Sequence, residues 1–331
     1  MSAQRTQPPN PNLSILSDRR PNIVRNPDGT YTRLLEFPAT ASRPDHDGHS
    51  AALSKDVPLN PQNKTWLRIH LPSQALYSSP PQKLPLIVYF HGGGFVFMGA
   101  ATPMIHDFCD KLASRLAAVV VSVNYRLAPE HRLPAAYDDA KEALLWTATA
   151  QDQWLSQFAD VSNCFIMGTS AGGNIAYHAG LRGALELENL KPLKITGLIL
   201  HHPFFGGSER TASERGSVRD PILTLSGTDY CWEMALPTGA DRDHEYSNPT
   251  AGDVSGQLEP VRDAGFRVLI TGRYDDPLID RQMQLAGVMK EKGLTTAAHF
   301  GEGYHSVELH DESKAEELFG VLENFISFSE D

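Results

Sequence analysis

Cysteine is scarce in this chain, basic residues are in deficit, and no long apolar run occurs. The three cysteines, Cys109, Cys164 and Cys231, are odd in number, widely spaced and without a C-x-x-C pair. That excludes a disulfide framework and a zinc site of the usual spacing, and leaves each as a small buried hydrophobe. Lys and Arg number 29 against 40 Asp and Glu, a formal net charge of −11. Affinity for nucleic acid or for an anionic membrane surface rests on cationic side chains meeting phosphates, so neither is an expected partner. No segment approaches the length of apolar sequence that spans a bilayer, and "MSAQRTQPPNPNLSILSDRR" has no signal-peptide core. The expectation is a soluble, cytosolic protein. No internal repeat or low-complexity tract is present.

What the chain does have begins near Thr65. "TWLRIHL" alternates as a half-buried strand should, and "LPLIVYF" is the continuous apolar run of a strand covered on both faces. The same pattern returns in "AAVVVSVNY", "NCFIMG", "ITGLILHHP" and "FRVLITG", separated mostly by helical patterns such as "MIHDFCDKLASRL", "AAYDDAKEALLWTATA", "NIAYHAGLRGALELE" and "RQMQLAGVMKEKG". Strands alternating with helices predict an α/β fold with a mainly parallel sheet and helices on both faces. Residues 1 to about 60 read as an irregular arm. From Phe205 to about Pro260 the rhythm breaks into a polar, Gly- and Pro-containing excursion with one short helix around "DYCWEMALP", the composition of a lid. Trp232, Met234 and Leu236 on that helix are expected to cover the site.

Four stretches carry chemistry. "YFHGGGFVF" places three glycines after a buried strand, where backbone must approach something closely. "CFIMGTSAGGN" spells G-x-S-x-G around Ser170 between a strand and a helix, a turn that thrusts the hydroxyl outward. A serine needs a base, and the base needs an orienting acid. In the hydrolase chain order of Ser, then acid, then His, "RYDDPLID" offers Asp275, Asp276 and Asp280, and "GYHS" offers His305 in a glycine-flanked loop. The aspartates also suit a helix start before Pro277, and His305 is one of 13 histidines, so order and strand-edge placement carry the assignment. The glycine run then reads as an oxyanion hole made by the amides of Gly93 and Gly94 with that of Ala171. A phosphate cradle is disfavoured because no G-K-[ST] follows. His91 is expected to support the glycine loop, and His201 and His202 to line or support the pocket. His202 and Trp232 are the candidate substrate contacts.

"HGGGF", "YRLAPEHRLPAAYDD", "GTSAGGN", "DDPLIDRQ" and "GYHS", in that order between about Asn60 and the C-terminus, resemble the plant carboxylesterases of the hormone-sensitive-lipase-like branch of α/β-hydrolases. The resemblance implies one α/β-hydrolase domain over residues 1–331, with a helical cap built from about 1–45 and about 205–260. It also implies hydrolysis of small to medium carboxylic esters with no cofactor and no metal. By motif, Ser170 is the nucleophile, Asp276 the orienting acid and His305 the base. Two departures stand out: Thr169 and Asn124 occupy positions where the family usually has acids. The rival readings are a small-molecule hormone receptor on the same fold, which retention of His305 disfavours, and acyl transfer, elimination or cyclisation of a specialised metabolite.

Overall fold

The computed structural model describes residues 23–45, 48–77, 82–149, 151–216 and 220–327. The first 22 residues of the expected arm therefore lie outside the described part. In chain order, a small hairpin of β1 (Ile23–Arg25) and β2 (Tyr31–Arg33) precedes β3 (Ala52–Asn60), β4 (Thr65–Pro72) and β5 (Leu84–Phe90). Then follow α1 (Pro103–Arg115), β6 (Val119–Asn124), α2 (Ala135–Thr149), α3 (Gln153–Phe158), β7 (Ala159–Thr169), α4 (Ala171–Leu185), α5 (Leu187–Leu190) and β8 (Ile195–His201). The remainder is α6 (Ala212–Gly216), α7 (Leu225–Ala235), α8 (Ser255–Asp263), β9 (Arg267–Arg273), α9 (Ile279–Glu291), β10 (Thr296–Gly301) and α10 (Glu312–Ser327).

The main sheet has eight strands in the order β10-β9-β8-β7-β5-β6-β4-β3. Pairing is parallel from β10 through to β6 and antiparallel for β6 with β4 and β4 with β3. Alternate side chains of β5 serve two cores: Leu86, Val88 and Phe90 join one, Ile87 and Tyr89 the other. The first core is closed by α2, α4 and α9 through Leu144, Ile175 and Leu285; the second by α1 and α10 through Phe108, Leu112, Leu318 and Phe319. Covering both faces is why the inner strands read as unbroken apolar runs.

The expectation of an irregular arm to about residue 60 is corrected here, because Ala52–Asn60 is the edge strand β3. Its sequence, "ALSKDVPLN", hides the strand behind Lys55, Asp56 and Pro58. An edge strand tolerates a proline, and the register shifts between Pro58 and Asn60. The helix α10, which closes the second core, adds to the helices expected from the sequence pattern.

β5 has β6 on one side and β7 on the other, so the crossover leaving β5 toward β6 and the one leaving β7 toward β8 run in opposite directions. In open parallel sheets this reversal opens a crevice beyond the carboxyl ends of the strands. The glycine run follows β5, Ser170 follows β7, His202 follows β8, Asp276 follows β9 and His305 follows β10.

Candidate active site

Ser170 sits between β7 and α4 with φ 57° and ψ −118°, a conformation that disfavours side chains. Close approach explains why it persists. A Cβ on Gly168 would lie 2.0 Å from the Gly172 carbonyl oxygen, and one on Gly172 would lie 1.9 Å from that of Phe90. Backbone bonds from Ser170 N to His201 O (2.9 Å) and from Phe204 N to Ser170 O (2.9 Å) tie the turn to the segment after β8. Asn174 locks the helix behind it, donating to Phe204 O and Tyr246 O and accepting from the Tyr137 hydroxyl.

His305 Nε2 lies 2.9 Å from Ser170 Oγ, and His305 Nδ1 lies 2.8 Å from Asp276 Oδ2. Asp276 is 1% exposed, and its other oxygen accepts the Leu278 amide at 2.8 Å. It thus both shapes the turn before α9 and faces the imidazole, but it does not cap the helix, which begins at Ile279 with Leu278 as N-cap and no side-chain cap bond. Its neighbours are placed elsewhere: Asp275 is exposed, and Asp280 accepts the Ser213 amide at 2.8 Å. Burial alone would raise the Asp276 carboxyl, but the charge of His305 and the hydrogen bonds from His202 and His305 outweigh it and hold the group well below the usual carboxylate range.

The polar row continues beyond the residues the motifs point to. His202 Nδ1 meets Asp276 Oδ2 at 2.8 Å and His202 Nε2 meets Glu308 Oε2 at 3.0 Å. Arg273 Nε donates to Glu308 Oε1 at 2.7 Å and its Nη1 to Glu317 Oε1 at 2.8 Å. From the segment after β8, Asp220 Oδ2 accepts the His305 amide at 2.9 Å, so a residue of the polar excursion fixes the histidine loop. Glu308 and Asp220 are not among the residues that sequence reasoning singles out. Glu308 stands three residues after His305 in "HSVE", and Asp220 before Pro221, but only the folded chain brings either to the site.

On the other side of Ser170 a cavity of about 430 Å³ opens. Its wall includes Gly92, Gly93 and Gly94, with Phe37 and Pro38 from the N-terminal segment, Phe97, Met98 and Met104, and Ile222, Leu223 and Cys231 from the excursion. Two of these glycines cannot take a side chain without collision. At Gly93 (φ 109°) a Cβ would stand 2.2 Å from Phe97 O, and at Gly94 (φ 62°) one would stand 2.3 Å from Cys231 Sγ. His91 props this turn from behind: Nδ1 lies 2.7 Å from Gly92 O, the ring stacks on Tyr125 at 4.2 Å, and burial pushes its pKa down to about 4.

The two candidate substrate contacts are corrected. His202 is fully buried behind Asp276, held away from the cavity by its two carboxylate partners. Trp232 is 1% exposed, stacked on Phe204 at 4.8 Å and packed against Phe95, and Leu236 is buried in the same core. One residue's rotation along α7 separates the expectation from the outcome, since the neighbouring Cys231 is what faces the cavity. Of the two roles open to His201, lining or supporting the pocket, its contacts are those of support: Nδ1 pairs with Thr271 Oγ1 at 2.7 Å, and burial lowers its pKa to about 3.

The two departures from acidic residues have partners. Thr169 Oγ1 accepts the buried Tyr89 hydroxyl at 2.9 Å, and Asn124 Oδ1 accepts the Ala100 amide at 3.0 Å. A neutral oxygen suffices for both tasks.

Among the described residues, three side-chain groups bring potential metal-ligand atoms within 4.8 Å of one another. In the two around His202, each of its ring nitrogens already faces a carboxylate, so no lone pair is left for a cation. In the third, of His70, His106 and Asp110, guanidinium groups of Arg43 and Arg68 already reach His106 and Arg43 reaches Asp110. All three have the chemistry of ion pairs.

A strand-to-helix serine, a histidine after the last strand and an acid after the strand before it form the arrangement of one large fold family. Residues 87–308 match the model of the α/β-hydrolase fold family. The chain belongs to this family. Within it the chain groups with plant carboxylesterases. It is 51% identical to carboxylesterase 20 of Arabidopsis thaliana over 92% of this chain and 94% of that one. It is 46% identical to a 3-O-acetylpapaveroxine carboxylesterase of Papaver somniferum over 90% and 95%. Among solved structures, an esterase of Pyrobaculum calidifontis superposes with a TM-score of 0.67 at 26% identity, covering 83% of this hydrolase and 84% of that one. No helix among the described residues is long and apolar enough to cross a membrane.

Proposed function

We propose that this α/β-hydrolase is a serine carboxylesterase that cleaves small to medium esters with apolar acyl or alcohol groups through an acyl-enzyme. His305 Nε2 takes the proton of Ser170 as Oγ bonds to the ester carbonyl carbon. The carbonyl oxygen, now an anion, is held by the amides of Gly93 and Gly94, which have no side chain to obstruct it, and by that of Ala171 just after the nucleophile. As the tetrahedral species collapses, the bond to the alcohol oxygen breaks and His305 returns the proton to that oxygen. Water then attacks the acyl carbon with His305 again as base, releasing the acid and restoring Ser170. Asp276 holds the imidazole in the tautomer that presents a lone pair to Ser170. Every step uses this chain's own groups and water. The observation that carries the reading is the continuous row from Ser170 Oγ through His305 to Asp276, with spacings of 2.9 and 2.8 Å, at the mouth of an apolar cavity.

The segments from the N-terminal side and from the excursion after Phe205 act as the cap. Phe37, Pro38, Ile222 and Leu223 cover the cavity, which displaces water from the acyl group before attack. Arg33 pins the N-terminal part by donating to Ala128 O and Glu130. Incubation with a fluorophosphonate followed by mass analysis tests the assignment. A single adduct on Ser170 with loss of p-nitrophenyl butyrate hydrolysis is expected; a folded protein left unmodified removes the nucleophile from the mechanism.

A further inference from the structure

His202 is the odd member of the buried row. It follows β8 with φ 46°, is fully buried, and is bonded at both ring nitrogens to carboxylates, Asp276 at 2.8 Å and Glu308 at 3.0 Å. An ionised carboxylate only accepts, so each nitrogen must carry a proton and the ring must be a cation. Asp276 Oδ2 consequently receives His202 Nδ1, His305 Nδ1 and the Gln282 amide (3.1 Å) on a single oxygen. The neighbouring His201 makes no such pair of bonds. It faces Thr271 at Nδ1, and its Nε2 stands 3.6 Å from Glu308.

We propose that His202 is a positioning residue for the hydrolytic reaction: an imidazolium at neutral pH, clamped between Asp276 and Glu308, that fixes the Asp276 carboxylate and offsets part of its charge toward His305. This rests on the assignment of Ser170, Asp276 and His305 given above. The offset matters because a lone buried carboxylate beside His305 would favour the protonated imidazole, which cannot serve as base. A second cation on the same oxygen, its ring centroid 5.3 Å from that of His305, works against that protonation. The charged and titratable groups facing His202 are Asp276 after β9, Glu308 after β10, His305, and His201 at 4.5 Å between ring centroids. Arg273 at the end of β9 balances the far side of Glu308, with Glu317 of α10 behind it.

Burial opposes the charge, but Glu308 and the hydrogen bonds to Asp276 and Glu308 raise the His202 pKa to about 9. Burial likewise opposes ionisation of Glu308, and the charges of His202, His201 and Arg273 outweigh it, holding that carboxyl far below its usual range. For a histidine raised from about 6.5, the stabilisation is complete below the unfolded value and is lost as pH rises through about 9. The carboxylates behave oppositely: their contribution is present above about 4 and is lost only as pH falls below it.

The test pairs two readouts on the full-length enzyme. Nitrogen-15 NMR of histidine-labelled protein, with His202→Asn to assign the signals, reports the charge directly. Both His202 ring nitrogens are expected to be protonated at pH 7 and to titrate near 9. Asparagine suits the backbone at φ 46°. Kinetics report the consequence. In His202→Asn and in Glu308→Gln the acid limb of kcat/KM against pH should move up by about one unit or more. kcat should fall about ten- to a hundredfold with KM little changed. Glu308→Gln preserves volume and can still donate to a neutral imidazole, so it separates charge from packing if His202→Asn fails to fold. A His202 ring with one unprotonated nitrogen at pH 7, or an acid limb unmoved in a folded variant, overturns the clamp. The NMR result stands whatever the fluorophosphonate experiment gives, so failure of the clamp and failure of the Ser170 assignment are told apart.

Discussion

The two sides of Ser170 are built to opposite rules. Toward β8, β9 and β10 lies a dry row of ionised groups in which Asp276, His202, Glu308 and Arg273 are each almost fully buried and each bonded. Toward β5 and the covering segments lies a cavity walled by Phe37, Phe97, Met98, Met104, Ile222 and Leu223. Buried charges cost several kcal/mol each unless matched, so the first side has essentially one arrangement that works. An apolar wall is non-directional and accepts many shapes of comparable size. Chemistry is therefore expected to reside on the rigid polar side and substrate choice on the adaptable one. Substitutions on the first should register in kcat, those on the second in KM and in the dependence on acyl length.

The largest effect should come from the border itself. Ser170→Ala is expected to lower kcat by about 10⁵-fold or more while thermal unfolding barely moves, leaving only the residual rate from binding and oxyanion contacts. Hydrolysis of p-nitrophenyl butyrate at the parental rate would place the nucleophile elsewhere. Next, Asp276→Asn should cost about 10⁴-fold in kcat by favouring the wrong imidazole tautomer, whereas exposed Asp275→Asn should stay within about twofold. A reversed ranking in parallel kinetics would move the acid by one residue. Gly94→Ala follows, at about 10²- to 10³-fold in kcat. The new methyl meets Cys231 Sγ at a positive φ, and displacing one amide removes one oxyanion donor. The smallest effect belongs to the apolar wall. Leu223→Ala should raise KM for butyrate and longer esters by about fourfold for each substrate methylene left uncovered, with acetate little affected and kcat unchanged. A change confined to kcat in that series would mean the two sides are not separable as described.

What is legible in the sequence follows the same division. "HGGGF" and "GTSAGGN" are readable because turns that demand glycine are local, whereas "DDP" and "GYHS" are readable through their place in the chain order of the family the sequence resembles. The sheet's inner strands announce themselves as unbroken apolar runs for the same reason. β3 escapes notice because an edge strand is free to carry Lys55, Asp56 and Pro58. Trp232 reads as a cavity residue and sits in the core, because the direction of a short helix's face is set by what packs on it. Cys231, one position earlier, has the cavity instead.

The sequence by itself determined the alternation of strands and helices and the sharp serine turn, each a matter of periodicity or of backbone geometry within a few residues. The order of Ser170, Asp276 and His305 was legible as a resemblance to the hydrolase chain order. Only the tertiary structure decided that His202 rather than His201 meets Asp276, that Glu308 meets both His202 and Arg273, and that Asp220 holds the amide of His305. Those contacts join residues far apart in the chain. Their strength comes from the exclusion of water, a property of the packed interior that no local stretch of sequence encodes.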